Sequence, residues 1–264
     1  MNPQGIYTLV SQGNALDRQM ETIANNLANL NTIGYKEDQL AFQQLFATTM
    51  GVASESDEEL FAHHEHLAPY TGVGTFFVSV ADMGTNHSPG PLLQTGKKLD
   101  FALLNETEYF SIQTPQGERF TRGGNFTINQ DGTLVTHEGY PVNGKPVDGK
   151  DATLNLKGND VRLGGDGTVT VDGKEAGGFK IVTFRFPHRL QKFGGAMFAP
   201  NDPENLPKIK EEPSLAQGML ESSNVNAVKE LVRMIQANRA YTSMQKGITA
   251  ADDMNRSALT LAEA

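Results

Sequence analysis

Along the first thirty residues, apolar side chains recur at alternating spacings of three and four: Ile6, Leu9, Leu16, Met20, Ile23, Leu27 and Leu30, interrupted at Gly13. No other feature constrains the fold so much. A heptad seam of this length is stable only when another helix covers it. Pro3 is tolerated at the start of such a helix and Gly34 is a C-terminal stop, so a helix is predicted over residues 4–33. At 1.5 Å per residue it would span roughly 45 Å, long for one helix of a compact domain.

The other end of the chain carries a second seam. Val228, Leu231, Ile235, Asn238, Tyr241, Met244, Ile248, Ala251, Asn255 and Ala258 follow the same rule. One extra three-residue step, at Asn238 and Tyr241, would overwind a coil locally. A helix of about 35 residues from Val225 onward is predicted, well beyond the average length, with Ser222, Ser223 and Asn224 as N-cap candidates. The two seams are expected to pair as a coiled coil, Leu16, Met20, Ile23, Leu27 and Leu30 packing on Val228, Leu231, Ile235 and Ile248.

The far side of the first helix is unusual. Thr22, Asn25, Asn29 and Thr32 form an amide and hydroxyl stripe, and no charged residue occurs from Thr22 to Tyr35. An ordinary amphipathic helix of odd composition is one reading. However, a solvated face normally carries Glu, Lys and Arg. An uncharged polar stripe suits a helix packed on both sides, where each amide finds a partner without the cost of burying charge.

Between the helices the period changes. Short alternating runs (Phe126-Thr127-Ile128, Val169-Thr170-Val171, Phe184-Arg185-Phe186) are separated by turn pairs. Those pairs are Asp131-Gly132, Asn143-Gly144, Asp148-Gly149, Asp166-Gly167 and Asp172-Gly173, all suited to hairpins. The fold class is therefore α+β. The expected organisation is a helical segment over residues 1–50, an acidic loop over 51–70, an inserted all-β region over 71–213 and a second helical segment over 214–264. Residues 200–213, rich in Pro, read as a linker.

Composition removes several function classes. The net charge of −9, with no basic stripe, argues against a nucleic-acid partner. The absence of cysteine excludes disulfides, thiolate metal sites and Cys nucleophiles. No basic, apolar leader of the cleaved type opens the chain, and no run approaches the ~18 apolar residues of a membrane span. A soluble chain is expected; if it leaves the cytoplasm, it does so without an ordinary signal.

No catalytic, cofactor or metal site emerges. His63, His64, Glu65 and His66 are good ligand types. Yet four consecutive residues of a polar loop cannot all converge on one ion, and a solvated loop accounts for them. Gly164-Gly165-Asp166-Gly167 opens no helix, and the Asp-Gly pairs lack the spaced ligands of a calcium loop.

Three motifs in order carry a family resemblance. The first is Ala24-Asn25-Asn26-Leu27-Ala28-Asn29 with Asn31-Thr32-Ile33-Gly34-Tyr35-Lys36. In the middle stand Leu99-Asp100-Phe101-Ala102, then Phe120-Thr121-Arg122-Gly123-Gly124-Asn125-Phe126, Asp131-Gly132-Thr133-Leu134-Val135-Thr136 and Gly139-Tyr140-Pro141-Val142. The last is Gly218-Met219-Leu220-Glu221-Ser222-Ser223-Asn224-Val225-Asn226, followed by Met234-Ile235 and Arg239-Ala240-Tyr241. Together they resemble the bacterial flagellar rod and hook proteins, and among these the basal-body rod family, the proximal member before the distal one. One departure is local: Asn105-Glu106-Thr107 stands where rod proteins commonly have a Gly-rich turn, and Asn105 could supply a left-handed residue there.

The resemblance implies a structural subunit, not an enzyme, that polymerises helically into part of the drive shaft and export conduit. It implies copies of itself, other rod proteins and the flagellar export apparatus as partners. Its place would be the periplasmic part of the basal-body rod, reached without a cleaved signal peptide. Subunit-interface and axial-packing roles then fall to Leu16, Met20, Ile23, Asn25, Asn26, Leu27, Asn29, Leu30 and Asn31 at one end. At the other they fall to Glu221, Asn224, Val225, Val228, Leu231, Ile235, Asn238, Arg239, Tyr241 and Ile248. Asn25, Asn29, Asn224 and Asn238 are expected to bond to neighbouring subunits or to line the conduit. Free subunits would leave both seams uncovered, so their ends are expected to be largely unfolded until assembly. A self-contained secreted β-rich binding or metal-dependent protein is the alternative, which should be a stable monomer.

Overall fold

The computed structural model describes residues 3–48, 74–147, 150–156, 161–164 and 167–262. The fold is α+β, a long helix near each end with strands between. The His63–Glu65–His66 region, the acidic loop and the Asp148-Gly149 pair lie outside the described residues.

Helix α1 (Pro3–Ala28) begins with proline in the first turn, where its missing N–H costs nothing. It ends five residues before the predicted stop, and the asparagines are the reason. Asn29 donates from its side chain to the Asn25 carbonyl (2.9 Å), and Thr32 donates to Asn29 Oδ1 (3.1 Å). Local bonds of this kind compete with the helix ladder. The chain then turns through Gly34, whose φ of +71° is open to glycine at little cost.

Helix α2 (Ala227–Ala262) has 36 residues. Its cap is Asn226, two residues after the last predicted candidate: Asn226 Oδ1 accepts from the Lys229 N–H at 3.0 Å. Nearby, Ser223 Oγ accepts from the Val225 N–H.

Strands fill the rest. After α1 come β1 (Asp38–Thr48) and β2 (Gly74–Thr85), which pair with each other. Residues 38–48 were expected to continue the helical segment, but form a strand instead. Then follow β3 (Leu92–Gln94), β4 (Phe101–Leu103), β5 (Glu108–Thr114), β6 (Gly117–Thr121), β7 (Thr127–Ile128) and β8 (Leu134–Val135). β9 (Asn143–Val147) and β10 (Lys150–Thr153) form a ribbon, and β11 (Val161–Leu163), β12 (Thr168–Val171) and β13 (Lys174–Gly178) a small sheet. β14 (Ile181–Thr183), β15 (Leu190–Phe193), β16 (Met197–Pro200), β17 (Lys208–Ile209), β18 (Leu215–Gln217) and β19 (Met219–Glu221) complete the set. Thus the stretch read as a linker contains β17, and the start of the second helical segment is two strands.

The described residues divide between two compact units. One takes in those of Met1–Thr22, Leu40–Met83 and Arg233–Ala264, the other those of Ile23–Gln39 and Gly84–Val232.

In the first unit α1 and α2 approach closely at Gly13, where a methyl group would stand 2.9 Å from Met244 Cε. Ala15, Ala237 and Ala251 are buried, with Tyr241, Met244 and Ile248 half-buried between the two alanines of α2. A cleft of about 520 Å³ beside them is lined by Leu9, Ala15, Leu16, Phe42, Met244 and Gly247, among others. The buried face of α2 is therefore Ala237, Tyr241, Met244, Ile248 and Ala251, a regular heptad with no overwinding step.

The upstream half of the predicted seam departs from this face. Val228, Leu231 and Ile235 are 71%, 48% and 53% exposed within the chain, and Val232 is 48% exposed. Continuing the heptad back from Ala237 leads to Met234 and Glu230, and Glu230 is buried. Hydrophobicity was a misleading guide here because the buried position holds a carboxylate.

The second unit is built on a six-stranded antiparallel sheet in the order β15-β16-β6-β5-β14-β17. Strand period sorts β5 between two cores. Phe110 and Ile112 join Phe101, Phe126, Leu134 and Phe179, while Tyr109 on the opposite face joins Phe120, Val182, Phe184, Leu190 and Phe198. Asp172 (φ 50°) and Gly173 (φ 78°) make the β12–β13 hairpin turn, both left-handed as a two-residue type I′ loop needs. Asn143-Gly144 is no turn: it starts β9, with the Asn143 amide donating to Ser111 Oγ at 2.8 Å. Phe184-Arg185-Phe186 lies just past the end of β14. Asn105 is not left-handed. Asp172 is the only non-glycine with positive φ among the described residues, and Asn105 Oδ1 instead accepts from the Thr107 N–H in an Asx turn.

The return path to α2 retraces the outgoing one. β18 pairs with β4 and β19 with β3, both antiparallel. Gly218 (φ +74°) lies between β18 and β19, its carbonyl accepting from the Thr95 and Gly96 N–H groups.

Candidate functional site

Where β19 leaves the sheet, Glu221 sits 1% exposed among groups from distant parts of the chain. Its Oε1 accepts from Lys36 Nζ at 2.6 Å and from the Gly90 N–H at 2.9 Å. Its Oε2 takes Arg122 Nε at 2.7 Å and lies 2.6 Å from Arg122 Nη2. Both cations are also 1% exposed at the side chain. The remaining guanidinium donors go to backbone carbonyls, Nη1 to Asn105 and Glu108 at 2.6 Å each and Nη2 to Leu103 at 3.2 Å. Lys36 Nζ donates to the Ser88 carbonyl as well. One carboxylate thus neutralises one of two cations, and hydrogen bonds cover the rest of the polar surface. Burial lowers the Lys36 pKa from its ordinary range, and Glu221 partly opposes the shift. Removing Glu221 would strand two buried cations, at a cost of about 3–5 kcal/mol, whereas removing Lys36 leaves the Arg122–Glu221 pair intact.

Glycine makes the approach possible. A methyl group on Gly34 would meet Gly123 N at 2.3 Å, and one on Gly90 would meet the Ser222 carbonyl oxygen at 2.0 Å. The segment after α1 therefore lies directly against the segments of Arg122 and Glu221.

A second polar group adjoins the first. Asn26 is 1% exposed; its amide donates to the Asp38 carbonyl at 2.9 Å, and its Oδ1 accepts from the Asp38 N–H (2.9 Å) and Tyr35 OH (3.1 Å). Lys192 donates to Asp38 Oδ2 and to the Lys36 carbonyl, both at 2.8 Å, and its ammonium lies 3.5 Å from the centre of the Tyr35 ring. Burial and the Asp38 charge raise the Tyr35 pKa. Asn224 joins three strands of chain, accepting from the Glu37 N–H at 2.7 Å and donating to the Asn86 and Ser88 carbonyls.

His87 closes this region. Nδ1 lies 2.8 Å from Tyr109 OH, the ring packs on Phe198, and Nε2 is buried with no hydrogen-bond partner among the described residues. Burial, with Lys36, Lys192 and Arg122 adding to it, pushes its pKa down to about 4.

The predicted interface residues thus separate. Asn26, Glu221, Asn224 and Val225 are occupied or buried inside the chain. Ile23 is buried, and Leu16, Met20, Leu27 and Leu30 are half-buried. Asn25, Asn31, Asn238 and Arg239 are exposed, and Asn29, just past the end of α1, is bonded to Asn25. Lys36 and Arg122 stand within the quoted motifs, yet nothing in a one-dimensional pattern pairs them with Glu221. Asp38, His87 and Lys192 gave no signal at all. This arrangement offers no reacting group; it ties three remote segments together.

Comparisons with known proteins match the same three segments. Residues 6–36 match the family model described as flagella basal body rod protein. Residues 104–171 match the flagellar hook protein FlgE/F/G D1 domain, and residues 216–261 the flagellar basal body rod FlgEFG protein C-terminal. Lys36, Arg122 and Glu221 fall one in each. The chain is similar to the flagellar basal-body rod protein FlgG of Agrobacterium fabrum (33% identity, 91% of this chain and 92% of the relative). It is similar also to FlgF of Caulobacter vibrioides (31%, 96% and 96%) and FlgF of Rhizobium meliloti (29%, 91% and 90%). Two rod-protein names thus match at comparable identity. With the ion node joining all three matched segments and the likeness running nearly end to end, the chain belongs to the flagellar basal-body rod proteins, as a structural subunit and not an enzyme.

Proposed function

We propose that this rod subunit polymerises helically through its terminal helices. In this reading α1 and α2 pair as a coiled coil in the axial layer, around a conduit for exported chains, and the β region inserted between them contributes lateral contacts. The subunit would act in the periplasmic part of the rod, among copies of itself and other rod proteins. It would be delivered by the flagellar export apparatus without a cleaved signal peptide.

One observation carries the reading. The first turns of α2 are inverted, with Glu230 buried while Val228, Leu231, Val232 and Ile235 face outward. An apolar stripe left outside while a carboxylate goes inside is a surface awaiting protein. The uncharged pair of Asn25 on α1 and Asn29 just past its end supports the same view, since amides fix register at small desolvation cost.

The test is assembly of charged variants. Val228→Asp and Ile235→Asp should leave the thermal midpoint of the monomer unchanged, because both side chains are exposed there. They should abolish polymer formation in vitro and incorporation into basal bodies. Normal incorporation of both variants would overturn the proposal.

A further inference from the structure

The ion node has no group left over for a neighbouring subunit. Both oxygens of Glu221 are doubly engaged, Arg122 is bonded through all three nitrogens, and Asn26 and Asn224 are taken up within the same unit. We infer that the N-terminal signature is folded in the free subunit, before any assembly, as a part of the β unit, with Glu221 as the latch. Its amides are already paired with the return path to α2: Gly34 N–H donates to the Glu221 carbonyl at 2.8 Å and Glu37 N–H to Asn224 Oδ1 at 2.7 Å. Its side chains are already dry, Tyr35, Lys36 and Asp38 all being buried.

This divides the chain in a place the heptad pattern does not suggest. The compact unit begins at Ile23, inside α1, and ends at Val232, inside α2. Residues up to Thr22 and from Arg233 on then remain for neighbours to order. That last clause rests on the polymerisation reading; the latch does not. Glu221 is the centre because it holds Lys36 from the N-terminal signature and Arg122 from the middle motif at once. Without it, two buried cations that repel each other lose the carboxylate bonded to both.

Hydrogen exchange read by mass spectrometry on the full-length chain, kept dilute and monomeric, tests this. Residues 34–38 should exchange as slowly as β5 and β6, while residues 3–22 and 233–262 exchange fast. Glu221→Gln should speed exchange at residues 34–38 by roughly 100-fold, with β15 and β16 still protected. If that variant fails to fold, Lys36→Met decides, since it leaves the Arg122–Glu221 pair intact: residues 34–38 should be released alone. Wild-type exchange at residues 34–38 as fast as at residues 3–22 would overturn the latch. So would unchanged protection in Glu221→Gln, or in Lys36→Met where that variant decides. A subunit that never polymerises would leave this pattern untouched, so the two readings fail separately.

Discussion

At the residue scale, His87 is a group whose ordinary chemistry is displaced by its surroundings. Dry packing and three nearby cations favour its neutral form, at a pKa of about 4 against an ordinary 6.5. The unfolded chain therefore takes up a proton below pH 6.5 while the native state does not. Stability from this source is fully present above 6.5, is lost as pH falls toward 4, and is lost no further below that. The expected loss is at most about 3 kcal/mol across the window. Thermal midpoints between pH 4 and 6.5 check it: the slope should be steeper in the wild type than in His87→Gln. Equal slopes would show that His87 is not held neutral. Neighbouring residues explain why the node was only partly legible. The motifs carry Lys36, Arg122 and Glu221 in plain view, but charge on a sequence reads as solvated until a partner is known. The glycines were the better signal, because Gly34 stands at positive φ against the backbone of Gly123.

At the element scale, helix period located both helices, and asparagine chemistry set one boundary that period could not. Asn25 and Asn29 bond along the helix end and stop α1 early, so the amide-rich segment is half helix and half turn. In α2 the heptad is regular, but one of its positions holds Glu230 instead of an apolar residue. Gly13 marks the close approach inside the first unit, with Met244 opposite. Because the clash there is with the flexible end of Met244, Gly13→Ala should change stability by less than about 1 kcal/mol, the gain in helix propensity offsetting the shift. Gly13→Leu should instead overpack, costing about 1–3 kcal/mol. Thermal unfolding of the assembled polymer, where these segments are ordered, followed by helical circular dichroism separates the two; equal effects would mean that the helices do not meet at Gly13.

At the scale of the whole molecule, a structural subunit and a metal-dependent secreted protein predict different responses to metal. The residues that could serve the second reading, His63, His64, Glu65 and His66, lie outside the described residues. Excess chelator, and separately excess zinc, should leave the thermal midpoint of the full chain unchanged. A midpoint that rises with zinc and falls with chelator would revive the metal-dependent reading. The division of the chain is also a property of the whole. Helices α1 and α2 each cross from one compact unit to the other, which a segment-by-segment reading of composition cannot reveal.

The sequence by itself determined the α+β class, the helix at each end and the family. These follow from local period, turn chemistry and contiguous motifs, all of which are written along one dimension. Only the tertiary structure decided which face of α2 is buried, where the units divide, and that Glu221 closes on Lys36 and Arg122. Those are outcomes of long-range pairing. A carboxylate can replace an apolar residue in a buried position once its partners arrive, and nothing local announces them.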